Sequence, residues 1–85
     1  MRNNTKQFER LRGRWILAAR AWRGDRVFYT QKKMPDDNML TATSFPTKDN
    51  AVRAIHFLKR RNPNTLKWWP YKVKDTELFK EVLRR

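Results

Sequence analysis

Residues 14–32 carry the feature that most restricts the fold, because two runs rich in aromatic and aliphatic residues flank a Gly-Asp pair. The runs read RWILAARAW and RVFYTQK, and the pair is Gly24-Asp25. Glycine at the first central position suits a two-residue type II′ turn, and apolar runs on both sides of such a turn are typical of a β-hairpin. The sequence therefore predicts a hairpin on which the core is built.

A two-residue turn also predicts which side chains share each face of the hairpin. In that register Trp22 faces Val27 and Arg20 faces Tyr29. The other face carries small alanines around Phe28, which would let a helix approach closely, so we assign that face to the core. The face with Arg20, Trp22 and Tyr29 is then expected to be exposed. A register error of one residue would exchange these assignments.

A third strand and the main helix are expected after the hairpin. TATSF at residues 41–45 is typical of a strand and is ended by Pro46. Thr47 is the expected N-cap of a helix with the sequence KDNAVRAIHFLKRR, whose apolar residues recur at helical spacing. Asn62 precedes a proline and is pushed out of the helical region, so we expect the helix to stop there.

The last part of the chain predicts one more strand and one more helix. Residues 65–73 alternate as a strand does, but Pro70 cannot donate to a ladder, which favours an edge strand or a bulge. Trp68 and Trp69 should point to opposite faces, and the sequence does not decide which of them is exposed. Asp75 or Thr76 can cap a final helix with the sequence ELFKEVLRR.

These elements predict an α+β domain with a small antiparallel sheet, a hairpin plus further strands, backed by one main helix and followed by a short C-terminal helix. With 85 residues we expect a single basic domain over residues 1–85. Residues 1–13 are polar and basic, and they are expected to form either a short helix, docked through Phe8 and Leu11, or a flexible arm.

The charge indicates what the protein binds. Twenty-one lysines and arginines against eight acids leave a net charge of +13. Such an excess of positive charge usually indicates that a protein binds a polyanion. The eleven aromatic residues argue against disorder. The chain has no cysteine, which fits a reducing cytoplasm, and no apolar run long enough to span a membrane. We expect an unprocessed, soluble, cytoplasmic protein.

Catalysis is not predicted. His56 is the single histidine and has no nucleophile near it in the sequence, so a solvated surface position explains it. Asp36 and Asp37 are adjacent in a loop, where neighbouring side chains seldom converge on one centre, and no third ligand for a metal is evident. We expect no enzyme activity, no metal and no cofactor.

Cations interleaved with aromatic rings predict a nucleic-acid-binding surface instead, since cations contact phosphates and exposed rings stack on bases. The helix from residue 53 to residue 61 adds four lysines and arginines without an acid. Each of these groups could also be a solvated or buried structural feature. The candidate binding residues are Arg20, Trp22, Arg23, Arg26, Tyr29, Arg53, Arg60, Arg61, Lys67, Trp69 and Lys72.

The hairpin followed by ATSFPTKDNAVRAIHFLK, within residues 14–60, resembles the N-terminal hybrid-binding domain of ribonuclease H, also called viroplasmin-like. That resemblance implies binding of RNA–DNA or double-stranded RNA backbones, and no binding residue is carried over from it. The strand and helix after residue 63 are additions to that pattern. The size, charge and aromatic content are also similar to small proteins of bacteriophages and mobile elements, including anti-CRISPR inhibitors.

The preferred hypothesis is a non-enzymatic nucleic-acid-binding domain of low sequence specificity, because no helix-turn-helix, zinc-finger or RNP signature is present. The aromatic residues slightly favour single strands, and duplex or hybrid binding stays open. The alternative is a phage-type inhibitor whose basic face docks on an acidic or nucleic-acid-binding face of a host protein. A ribosome-associated protein is a third hypothesis. Membrane binding is the least favoured, because the cations are spread over several elements.

Overall fold

Strand β1 (Trp15–Arg20) is the centre of the fold, because it is hydrogen-bonded on both of its edges. The computed structural model describes residues 4–31 and 34–84. Strand β2 (Arg26–Phe28) and strand β3 (Trp69–Lys72) both run antiparallel to β1, in the order β2-β1-β3. Four consecutive residues of β1 are buried, as expected for an uninterrupted apolar run covered on both faces.

One face of the sheet is covered by helix α2 (Lys48–Arg61). Leu17 and Ala19 of β1 pack there against Ala51 and Ile55 of α2, and Trp68 closes the cluster. The small alanines on both elements let the helix lie close to the sheet. This is the main helix that the sequence predicts.

The other face is covered by three elements. They are helix α1 (Asn4–Leu11), helix α3 (Asp75–Arg84) and a short 3₁₀ helix (Met39–Thr41). Ile16 and Ala18 of β1 pack there with Leu11, Phe28 and Leu78. The predicted α+β class, with its small antiparallel sheet, main helix and short C-terminal helix, is thus confirmed.

The hairpin is confirmed, but its predicted turn and register are wrong. Ala18 lies opposite Phe28 and Ala19 opposite Val27, a shift of three residues from the prediction. The ladder continues to Ala21, whose N–H donates to the carbonyl of Asp25 at 2.9 Å. Residues 22–24 therefore form a three-residue loop, in which Gly24 has a φ of +88°. Gly24 thus occupies the third position of a three-residue loop, where the left-handed conformation is needed, and not the first position of a two-residue turn.

The odd shift in register moves side chains between faces. Ala19 and Phe28, predicted to share the core face, belong to clusters on opposite faces of the sheet. Tyr29, predicted to be exposed beside Arg20 and Trp22, is half-buried on the α2 face. Trp22 lies in the loop and not in a strand.

The predicted third strand at residues 41–45 is wrong. Its first residue ends the 3₁₀ helix, which Asn38 caps by accepting a hydrogen bond from the N–H of Leu40. Its last residue, Phe45, forms an isolated antiparallel bridge with Trp15, through N–H···O bonds of 2.7 and 2.9 Å. The segment thus adds one isolated bridge to the sheet, together with a hydrogen bond from the N–H of Thr43 to the carbonyl of Tyr29 at 2.9 Å.

Helix α2 begins and ends where the sequence predicts. The Thr47 hydroxyl accepts a hydrogen bond from the N–H of Asn50 at 3.2 Å, and Asn62 is the C-cap. Strand β3 is shorter than predicted, and it is an edge strand. That position tolerates the missing N–H of Pro70, which lies opposite Leu17.

The terminal helices complete the second face. Of the two alternatives for the N-terminal segment, the structure supports the docked helix, because Leu11 is fully buried. Residues 1–3 lie outside the described residues. Helix α3 buries Leu78 but leaves Phe79 and Leu83 exposed, so its apolar face is only partly used. Among the described residues, no helix is long and apolar enough to cross a membrane.

Candidate functional site

Trp22 is the most exposed large apolar side chain in the described part of the molecule, at 98% of its full accessible surface. It lies in the hairpin loop, whose shape is set by a hydrogen bond from the Gly24 N–H to the carbonyl of Ala21 at 2.8 Å. Arg20 donates through Nη1 to the carbonyl of Gly24 at 2.9 Å, which ties its guanidinium to the same loop. The loop therefore presents an aromatic ring and a positioned cation together.

The Trp22 groove is a cavity of about 500 Å³ where the hairpin loop meets the segment that leads into β3. Two regions that the sequence predicts separately, the hairpin and the last strand, come together here. Antiparallel pairing of β1 with β3 explains this, because Ala18 lies opposite Trp69 and the residues beyond them approach at the same end. The lining residues are Arg20, Trp22, Thr65, Leu66, Lys67 and Trp69.

Positive charge dominates the chain around this groove. Seven lysines and arginines and no acid occur between Asp49 and Asp75, the part of the chain that contributes Lys67. The ion pairs recorded between described residues join Arg12 to Asp75, Arg26 to Glu77 and Arg84 to Glu81, and none of them involves a groove cation. The groove thus offers an anion two cations that acids do not neutralise.

Arg23 lies beside this groove without lining it, whereas Lys72 lies away from it, three residues along β3 from Trp69. Arg23 is exposed in the hairpin loop, next to Trp22. Lys72 is exposed at the end of β3, opposite Trp15 on β1. Arg23 therefore extends the positive surface at the groove, and the structure does not bring Lys72 to it.

Arg26 has a different environment from the other predicted binding residues. Its Nη2 lies 3.2 Å from Oε2 of Glu77, whose Oε1 accepts a hydrogen bond from the Tyr71 hydroxyl. The guanidinium carbon also lies 5.3 Å from the ring centroid of Phe28 and 5.4 Å from that of Tyr71. These contacts join β2, β3 and α3, so Arg26 holds the helix on the sheet.

Tyr29 and the two neighbouring tryptophans differ in burial. Trp68 is 8% exposed, and its Nε1 donates to Oγ1 of Thr65 at 3.0 Å. Tyr29 packs edge-on against it, with ring centroids 6.0 Å apart. Trp69 is half-buried and lines the groove. Trp68 is therefore part of the core, whereas part of the Trp69 side chain is accessible in the groove.

The outer face of α2 presents the remaining predicted cations. Arg53, Arg60 and Arg61 are all exposed, as is His56. The guanidinium carbon of Arg61 lies 5.6 Å from the ring centroid of Phe57, which is itself 55% exposed. These residues form a basic face on α2 that is separate from the lining of the Trp22 groove.

Arg10 serves the fold, although its residue type suits phosphate binding. It donates to the carbonyl of Leu40 at 2.7 Å and to that of Ala42 at 2.9 Å, and so satisfies the end of the 3₁₀ helix. Desolvation by burial, followed by the charge of Arg14, lowers the pKa of Arg10 from its usual value. Arginine stays protonated at physiological pH, so the contact persists there.

A second cavity, of about 520 Å³, borders the groove. The sequence does not predict it. This cavity shares Trp22, Thr65 and Leu66 with the groove and adds Asn62 and Asn64 from the end of α2. The sequence indicates only a helix stop at residues 62–64. Two asparagines next to an aromatic-rich strand were the signal available in the sequence.

The described residues bring no three histidine, cysteine or acidic side chains together in a way that could hold a metal ion. The chain matches no protein-family model, and neither a curated protein nor a solved structure is significantly similar to it.

Proposed function

We propose that the protein is a non-enzymatic nucleic-acid-binding protein of low sequence specificity that binds through the Trp22 groove. The observation that carries this proposal is the exposure of Trp22 in a groove that Arg20 and Lys67 also line. The absence of cysteine is compatible with action in the reducing cytoplasm.

Folding does not explain the position of Trp22. A tryptophan buries about 150–250 Å² when it is packed, which contributes about 4–6 kcal/mol of hydrophobic free energy. At 98% exposure, Trp22 contributes almost none of this to the folded state. A ring held in solvent by a hydrogen-bonded loop is well suited to stack on a partner that arrives later.

The chemistry of the groove favours nucleic acid as that partner. Stacking of a base on an aromatic side chain contributes about 1–3 kcal/mol, and Trp22 and Trp69 each offer ring surface. Arg20 and Lys67 can contact phosphates, and Arg23 can extend the contact along a strand. Stacking and phosphate contacts are largely independent of base identity, hence the low specificity.

The test is a titration of fluorescently labelled single-stranded DNA, single-stranded RNA, duplex DNA and RNA–DNA hybrid, followed by anisotropy over a series of salt concentrations. We expect affinity to fall steeply as the salt concentration rises. Lys67→Gln should reduce the slope of the logarithm of the binding constant against the logarithm of the salt concentration by about one. Lys80→Gln is the matched control, because Lys80 is an exposed lysine on α3 outside the groove.

Two results would contradict the proposal. If no polymer binds at low salt, the protein does not bind nucleic acid. If Lys80→Gln weakens binding as much as Lys67→Gln does, the charge acts without a defined site and the Trp22 groove is not the interface.

A second candidate is an inhibitor that docks on a host protein. The observation that favours it is the pair Phe79 and Leu83, which are one helical turn apart on α3 and 59% and 73% exposed. Substituting both by serine separates the two functions. Nucleic-acid binding should be unchanged by the double substitution, whereas a protein complex formed through α3 should be lost.

A further inference from the structure

The second cavity, named here the asparagine pocket, has walls suited to a flat aromatic ligand. Its lining is mainly apolar and includes Tyr29, Leu58 and Trp68 from the α2 side of the sheet, with Trp22 at the boundary to the groove. A volume of about 520 Å³ lies within the range of small-ligand sites, about 300–1,000 Å³. The pocket can therefore take a ring and the sugar attached to it.

Polar groups lie on one side of this pocket. The side-chain oxygen of Asn62 accepts a hydrogen bond from the N–H of Asn64 at 3.1 Å, which fixes the loop that follows α2. Asn64 is exposed, and its side-chain amide has both a donor and an acceptor. An amide beside an aromatic wall matches a nucleobase, whose faces stack and whose edges carry donors and acceptors.

The groove next to the pocket supplies the charge. Trp22, Thr65 and Leu66 line both cavities, so a ligand in the pocket lies next to Arg20 and Lys67. A nucleotide chain has the matching order of groups, with a base on one side and a phosphate on the other.

We propose that the asparagine pocket binds one unpaired base of a single strand, stacked on Trp22 and contacted at its edge by Asn64. This inference rests on the proposed function and adds the class of ligand, because a base within a duplex has its faces stacked and its edges paired. Removing a base from a duplex costs unstacking and unpairing free energy, so duplexes bind more weakly.

The experiment compares a labelled oligonucleotide with an abasic strand of the same length, which keeps every phosphate and lacks the bases. We expect the abasic strand to bind about 5- to 150-fold more weakly. Asn64→Ala should weaken binding of the base-bearing strand by about 2- to 10-fold and leave the abasic strand unchanged. Lys67→Gln should weaken binding of both strands.

Asn50→Ala is the matched control, because Asn50 is an exposed asparagine in the first turn of α2. Trp22→Leu should reduce the difference between the two strands, and Trp22→Phe should keep more of it than Trp22→Leu does. Thermal unfolding verifies that each variant is folded.

The outcomes separate the two proposals. If the base-bearing and abasic strands bind the wild-type protein equally, or if a duplex binds as tightly as a single strand, the pocket assignment is overturned while nucleic-acid binding stands. If neither strand binds and no duplex or hybrid binds, both proposals are overturned.

Discussion

Arg26→Gln separates folding from binding, because Arg26 has the residue type of a phosphate ligand but the contacts of a structural residue. The partly exposed pair with Glu77 contributes about 0.5–1 kcal/mol. Each contact with the rings of Phe28 and Tyr71 adds about 0.5 kcal/mol. We expect Arg26→Gln to lower the free energy of unfolding by about 2 kcal/mol, which lowers Tm by about 8–16 °C for a domain of this size.

The assay is thermal and urea unfolding followed by circular dichroism, together with the oligonucleotide titration at a temperature where the variant is folded. Arg23→Gln is the control, because Arg23 is exposed in the adjacent loop and should change stability by less than about 0.5 kcal/mol. The assignment of Arg26 to the fold is refuted if Arg26→Gln leaves stability unchanged, or weakens oligonucleotide binding as much as Lys67→Gln does.

Three further substitutions test the elements that position the site, all by thermal or urea unfolding. Gly24→Ala should lower the free energy of unfolding by about 1–2 kcal/mol through backbone strain alone, because φ is +88° and an added Cβ would meet nothing within 4 Å. Gly24→Asn should lower it less. Equal stability of the wild-type protein and both variants would show that the strain is absent. Thr47→Ala should cost about 1 kcal/mol by removing the N-cap of α2, and Thr47→Ser should restore most of it; an unchanged Tm would contradict the capping role. Leu78→Ala should cost about 2–5 kcal/mol, since Leu78 is fully buried between α3 and the sheet; a loss below about 1 kcal/mol would mean that α3 is not part of the core.

Elements with a local signal could be predicted from the sequence. The cap at Thr47 and the stop before Pro63 are encoded by neighbouring residues, so the bounds of α2 followed from short-range chemistry. Pro70 likewise placed β3 at the edge of the sheet, because a central strand needs the N–H that proline lacks.

The hairpin register could not be predicted in the same way. Gly24 suits both the first position of a two-residue loop and the last position of a three-residue loop. The structure has the second arrangement, and this change of loop length moved Phe28 and Ala19 to opposite faces. The sequence therefore predicted the hairpin, but not which of its side chains face α2.

The sequence predicts the binding residues on separate segments and does not predict that they meet in one groove. The pairing of β1 with β3 brings residues of two distant segments into this groove, namely Arg20 and Trp22 from the hairpin and Lys67 and Trp69 from the last part of the chain. The exposure of Trp22 depends on its place in the loop, whereas the predicted register places Trp22 in a strand. The asparagine pocket depends on where the end of α2 meets the hairpin, a long-range contact without a local signal.

The central claim is that nucleic acid binds where the hairpin loop meets residues 62–67. The most direct measurement is a ¹⁵N–¹H NMR titration of the labelled protein with a single-stranded oligonucleotide. We predict that the indole N–H signal of Trp22 and the amide signals of residues 20–24 and 64–67 shift most, while those of Phe79 and Leu83 stay in place. Shifts confined to α3, or a Trp22 signal that does not move at saturation, would contradict the claim.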